Sequence, residues 1–152
     1  DRCKMYCGEK NQMYSALSEE LARMYNAAGR REESLACHLS VRNQLLKNGY
    51  REGSLLLMVD NNMSVVYLDL GKPEEAIPYL TEALELAKEN GLVGPAVAEP
   101  TWNLARVYRA LGDEEKEDIY LKAAVEGFRE CYPPEHPKRI AAEQRLKERQ
   151  EE

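Results

Sequence analysis

Two asparagines, Asn62 and Asn103, stand 41 residues apart, each nine residues before a glycine, Gly71 and Gly112. A side-chain amide offers both a donor and an acceptor, so one such residue can satisfy the N–H and C=O of a peptide unit. Three arginines, Arg23, Arg106 and Arg109, add forked guanidinium groups able to grip a carboxylate through two parallel hydrogen bonds. This is chemistry of recognition, and groups for bond-making are scarce. Cys3, Cys7, Cys37 and Cys131 show neither disulfide-framework nor zinc-finger spacing. Cys3 and Cys7 are four apart, on one helical face, but the two histidines, His38 and His136, are well separated. Free thiols in a reducing compartment, the cytosol, are the better reading. The chain has no glycine-rich phosphate loop, no HExxH and no nucleophile elbow. No catalysis, cofactor or metal is expected.

The elements that must position these groups are repeated helices. Three segments, ELARMY (20–25), NMSVVY (62–67) and NLARVY (103–108), each run into a glycine: Gly29, Gly71 and Gly112. Those glycines are 42 and 41 residues apart, and a second pair, Gly49 and Gly91, is again 42 apart. A fixed period of this size signals stacked units, each too small to bury its own apolar face. Leu21, Ala22 and Tyr25 correspond to Met63, Ser64 and Tyr67, and to Leu104, Ala105 and Tyr108. Their spacing keeps each trio on one helical face. The glycine supplies the left-handed turn that ends the helix.

A second helix follows in each unit, at roughly 31–48, 73–90 and 113–131. Pro73, Glu74 and Glu75 suit a helix start. Ala76, Ile77, Leu80, Ala83, Leu84 and Ala87 form its apolar stripe, matched by Leu35, Leu39 and Leu45 in the first unit and by Ile119, Leu121 and Ala124 in the third. The third copy is the poorest, with Glu117 where the second has Ala76. Pro78 and Pro100 are expected to kink or delay their helices. After Pro133, Pro134 and Pro137, a stretch over 138–150 carries Ile140, Ala141 and Leu146 on one edge and suits a capping helix. The predicted units are 14–49, 55–91 and 96–131, in one domain over 1–152.

Charged residues make up 32% of the chain and aromatics 7%, a balance that favours an all-helical protein. A net charge of −6 argues against nucleic acid or an anionic membrane surface as partner, because phosphate contact needs clustered positive charge. The longest apolar run, LLLMV (55–59), falls far short of the roughly 20 residues that span a bilayer, so no membrane insertion is expected. The chain opens on Asp1 rather than Met, which suggests a fragment with neighbouring domains.

Ser64, Tyr67, Gly71 and Ala76 together resemble the tetratricopeptide repeat pattern: a small residue three before a tyrosine, a glycine at the turn, then a small residue early in the second helix. The usual unit is about 34 residues. The longer unit here is similar to the kinesin light chain branch, with the proline two residues after the alanine in EEAIPYLTEALEL (74–86) and a linker-like YPPEHPKRIAA (132–142). The resemblance covers about residues 14–147. It implies a right-handed α-solenoid whose first helices line a concave groove for an extended peptide, with Asn62 and Asn103 as a ladder bonded to the ligand backbone. Glu20 and Arg145 interrupt that ladder at the equivalent places.

Helical phase sets Arg23, Asn26, Met58, Asn61, Val65, Leu68, Glu99, Trp102, Arg106 and Arg109 on the same inner face. Trp102 reads either as a groove anchor or as a core residue. The arginines read either as a basic lining for an acidic peptide with an apolar anchor, or as partners of Glu19, Glu20 and Glu99. A chaperone-tail clamp is not expected, since Glu19 and Glu99 stand where the resemblance calls for lysines. A peptide-regulated transcription factor would carry a DNA-binding segment, and none is visible. The expected function is a protein-binding scaffold or adaptor. The alternative is an architectural module packed against other domains or subunits.

Overall fold

The computed structural model describes residues 2–51 and 54–152, with side chains from residue 13 onward except at 14. Seven helices follow in order: α1 (Arg2–Ala27), α2 (Arg31–Lys47), α3 (Leu55–Asp69), α4 (Pro73–Glu89), α5 (Pro95–Leu111), α6 (Glu114–Cys131) and α7 (Pro137–Glu151). No strand occurs among the described residues. The second helices match their expected bounds to within about a residue, because their start and stop signals are local. Pro73 occupies the first turn of α4 with Glu74 and Glu75 beside it. The Asp113 carboxylate accepts from the Lys116 backbone N–H at 3.1 Å and caps α6.

The tyrosine–glycine register of the repeats has a backbone cause. At Gly71, φ is +72°, a conformation that an L side chain resists. Its N–H donates to the Leu68 carbonyl at 3.0 Å, and the next N–H, that of Lys72, donates to the Tyr67 carbonyl at 2.9 Å. These two bonds satisfy carbonyls otherwise orphaned at the helix end. The same pair recurs with Arg30 on Tyr25 and with Asp113 on Tyr108. Each tyrosine therefore closes its own turn. Its ring does separate work: Tyr67 stacks on Tyr79 at 5.7 Å and Tyr108 on Tyr120 at 5.5 Å, pinning the two helices of a unit together.

Each helix packs on the next, and the first helices also adjoin, α1 with α3 and α3 with α5. This is an α-solenoid with α1, α3 and α5 forming one layer. One apolar cluster runs from α2 to α5 through Val41, Leu45, Met63, Leu80, Leu86, Leu104 and Val107. A second joins α5 to α7 through Ala98, Leu121, Val125, Phe128 and Ala142. Gly127 permits the close approach of α5 and α6, because a Cβ there would lie 3.0 Å from the Ala98 Cβ.

Several details depart from expectation. α4 and α5 continue through Pro78 and Pro100. Pro78 lies on the exposed side of α4. Pro100 is buried, and next to it the Thr101 hydroxyl donates to the Val97 carbonyl at 2.7 Å. Ile119 and Ile140 are exposed, as is Ala141. The seam of α7 is instead Ala142 with Leu146. One residue turns a helix by about 100°, and the placement of α7 is set by a charge pair that an apolar pattern does not show. Cys37 and Cys131 are free thiols; the side chains of Cys3 and Cys7 lie outside the described residues.

Candidate functional site

The layer of first helices holds two hollows one repeat apart, with Asn62 lining both. The first, about 230 Å³, lies between α1 and α3 and is lined by Arg23, Asn26, Ala27, His38, Asn62, Val65 and Val66. The second, about 260 Å³, lies between α3 and α5, with Met58, Asn61, Asn62, Ala96 and Glu99 on its walls. The structure thus gathers Arg23, Asn26, Asn62 and Val65 in one place, and Met58, Asn61 and Glu99 in the next. Trp102, Asn103, Arg106 and Arg109 line neither.

The two asparagines are tied to neighbouring helices. The Asn62 amide N–H donates to Glu19 Oε2 at 3.1 Å. Glu19 is buried and also faces His38 Nδ1 at 2.8 Å, so α1, α2 and α3 meet at one polar point. A buried carboxylate needs such partners. Asn103 is buried as well: it donates to Asn61 Oδ1 at 2.9 Å and accepts from Arg106 at 3.1 Å. Both ends of the Asn103 amide are therefore occupied within the fold.

Asn26 behaves differently. Its amide N–H donates to Asp69 at 3.1 Å, while its Oδ1 is buried without a hydrogen bond from the described residues. It lines the first hollow beside Val65 and the guanidinium of Arg23. A buried acceptor without a donor is unfavourable by roughly 1–3 kcal/mol.

The charges sort into three cases. Arg23 pairs with Glu20 at 3.0 Å on the exposed rim, where such pairs contribute little. Glu99 is held by Lys138 at 2.7 Å and by the Tyr132 hydroxyl at 2.5 Å, and burial together with that carboxylate raises the phenol's pKa. Arg106 and Arg109 make no ion pair among the described residues, and Arg109 is exposed. Trp102 is half-buried and packs against the second apolar cluster.

The polar residues whose partners sequence reading did not assign are those buried at the helix junctions. Arg42 of α2 bonds Asp60 of α3 at 2.8 Å and also pairs with Glu82 of α4. Burial pushes the Asp60 carboxyl up to about 7, against the pull of Arg42. Glu117 of α6 is buried and receives two bonds from Arg145 of α7, at 2.6 and 3.1 Å, which raise the guanidinium's pKa. Arg149 adds bonds to Asp118 at 2.9 and 3.2 Å. A signal for them does exist: His38, Asp60 and Glu117 stand where other units carry Leu80, Thr101 and Ala76. A charge at a position filled elsewhere by an apolar or small residue marks a junction with its own partner.

Among the described residues no helix is long and apolar enough to cross a membrane, and no cluster of His, Cys, Asp or Glu is placed to hold a metal ion. Fold and site together define a helical repeat stack with a polar inner layer. The tetratricopeptide repeat pattern matches residues 55–130, half of the chain, and the chain belongs to that family. Repeats of this family serve as scaffolds for protein–protein interaction. Among solved structures, the chain is similar to a Podosopora anserina protein described as a kinesin light chain with nearly identical TPR-like repeats. That match has 24% identity and a TM-score of 0.77, over 88% of this chain and 64% of the other. It is also similar to BtubC (BKLC) from P. vanneervenii, at 18% identity and a TM-score of 0.76, over 93% and 65%. At these identities the likeness shows the fold alone, and the chain spans less than two thirds of either neighbour. No match was found among curated proteins.

Proposed function

We propose that the layer formed by α1, α3 and α5 holds an extended segment of a protein partner, with an apolar side chain in the hollow at Val65 and acidic residues toward Arg109, Arg106 and Arg23. The observation that carries this reading is the hollow itself, lined by Arg23, Asn26, Asn62 and Val65; Asn26 also carries a buried Oδ1 with no hydrogen bond from the described residues, which a turn of the side chain would offer to a backbone N–H of the segment. Arg106 and Arg109 make no ion pair among the described residues, and the exposed Arg109 guanidinium is free to take a carboxylate, which supports the acidic preference. A cytoplasmic, reducing setting belongs to the same reading and keeps Cys37 and Cys131 as thiols. Asn62 and Asn103 serve the fold first; Asn62 adds a contact to the ligand from between the two hollows.

The test is a screen of the chain against an array of extended peptides, followed by affinity measurements on Val65→Glu and on Arg106→Glu/Arg109→Glu. Val65 is half-buried on the wall of the hollow, so Val65→Glu fills it with charge. It is expected to weaken the selected peptides at least tenfold while the helical circular dichroism stays unchanged. The arginine double variant is expected to weaken acidic peptides and spare neutral ones. Selected peptides that bind Val65→Glu as tightly as the unaltered chain would overturn the reading. The alternative, an architectural module, draws on a different observation, the apolar outer face of α1.

A further inference from the structure

Three residues of the inner layer fall on equivalent places of successive units: Arg23 of α1, Val65 of α3 and Arg106 of α5, 42 and 41 residues apart. About one helical turn further on, Asn26, Leu68 and Arg109 repeat the order of polar, apolar and basic. Arg23, Val65 and Arg106 all keep surface open to solvent. α1 adjoins α3 and α3 adjoins α5, and side-chain bonds bridge each pair, Asn26 on Asp69 and Asn103 on Asn61. The row therefore crosses three neighbouring helices, and it reads basic, apolar, basic.

The step along this row is the distance between neighbouring helices, about 8–10 Å. An extended partner presents side chains to one face at a step set by its own backbone. In a β-strand that step is two residues, about 6.6–6.8 Å, and the next is about 13 Å. In a polyproline II helix it is three residues of about 3.1 Å, close to 9.3 Å. Only the polyproline step matches one helix per anchor. The two ends of the row can take carboxylates. Arg106 spends one N–H on Asn103 Oδ1 and makes no ion pair among the described residues. Arg23 holds Glu20 in a pair exposed on both sides, which an incoming carboxylate displaces at little cost. Beside Val65, the Asn62 amide spends its N–H on Glu19, and its oxygen can accept from the segment, whose backbone makes no hydrogen bonds of its own.

We propose that the partner segment crosses α1, α3 and α5 as a polyproline II helix, with an apolar residue at Val65 and an acidic residue three places to either side of it, at Arg23 and at Arg106. This register rests on the inner layer as the binding site, and adds to it the conformation and the spacing of what binds. A stiff segment of this kind has less freedom to lose on binding than a flexible one, which suits a shallow row of three contacts.

The probes are fluorescein-labelled peptides in which a leucine is flanked by two glutamates, with one, two or three prolines filling each gap. Fluorescence anisotropy with the chain is expected to give the tightest binding for two prolines per gap, at least fivefold tighter than for one or three. Replacing those prolines by glycines keeps the spacing and is expected to weaken binding. Val65→Glu and Arg106→Glu should each weaken the two-proline peptide at least tenfold, and Ile119→Glu on the exposed side of α6 should leave it unchanged. Equal affinity across the three spacings, or tighter binding of another spacing, overturns the register while Val65-dependent binding keeps the groove reading in place. Failure of the whole series, while the peptide array still selects Val65-dependent ligands, also overturns the register alone. Binding that survives Val65→Glu overturns both.

Discussion

The α4–α5 and α6–α7 junctions hold equivalent places in the stack and are built from opposite chemistry. Leu80, Ala83, Leu86 and Ala87 meet Leu104 and Val107 in the first, all buried in one cluster. In α7 Ala142 alone is buried, and the joint is completed by Arg145 on Glu117 and Arg149 on Asp118. Apolar contact is nondirectional, whereas a carboxylate–guanidinium pair fixes an angle. An interior helix can be apolar on both sides because another helix covers it. Among the described residues α7 is packed on one side only, against α6, and the charged joint holds a helix of low mean hydropathy there.

The largest expected effect breaks this charged joint. Arg145→Ala removes both hydrogen bonds to the buried Glu117 and leaves it only Arg149, at 4.0 Å, so it should destabilise the chain by up to about 3–5 kcal/mol, read from denaturant unfolding. Glu117→Ala/Arg145→Ala restores the alanine of the second unit and should recover much of that loss. Additive losses in the double variant would show that the two residues do not act as a pair.

The α2–α3 junction sharpens the comparison, because it mixes both chemistries. Asp60 is buried beside Arg42 and Glu82, and burial raises its folded-state value to about 7 from the ordinary 3.8, against the pull of Arg42. In this window the unfolded chain holds fewer protons at this site than the folded one. The contribution of Asp60 to stability is therefore complete below about pH 4 and is lost as pH rises through about 7, with a slope of up to about 1.4 kcal/mol per pH unit. Asp60→Asn should flatten this slope in unfolding measured between pH 4.5 and 8. An unchanged slope would assign it to other groups.

The smallest effect belongs to the exposed stripe of α1. Leu17→Glu on α1 should change the stability of the isolated chain by no more than about 0.5 kcal/mol, measured by the same unfolding. A larger loss would mean that the stripe is already covered.

Most of the architecture is written in the sequence because its signals are local: the Tyr–Gly register, Pro73 with its two glutamates, and the Asp113 cap each act within a turn or two. What was not legible depends on partners far along the chain. Glu117 looks like a defect in an alanine position until Arg145, 28 residues on, arrives beside it. Leu21 has the same residue type as its buried counterpart Leu104, and what separates them is that α4 packs over Leu104 while no helix among the described residues packs over Leu21. Asn62 and Asn103 were recognisable as special, but whether an amide faces inward to Glu19 and Asn61 or outward to a ligand is a matter of rotation about a few bonds.

Trp102 carries a practical consequence. It is the single tryptophan of the chain and rests against the cluster joining α5, α6 and α7, so its fluorescence reports on that end of the stack alone. Circular dichroism at far-ultraviolet wavelengths averages over all seven helices. In a solenoid whose units contact only their neighbours, the two signals need not melt together. Trp102 is thus an optical label on the α5–α7 cluster, and the gap between the two curves reads out how far the other helices unfold ahead of it.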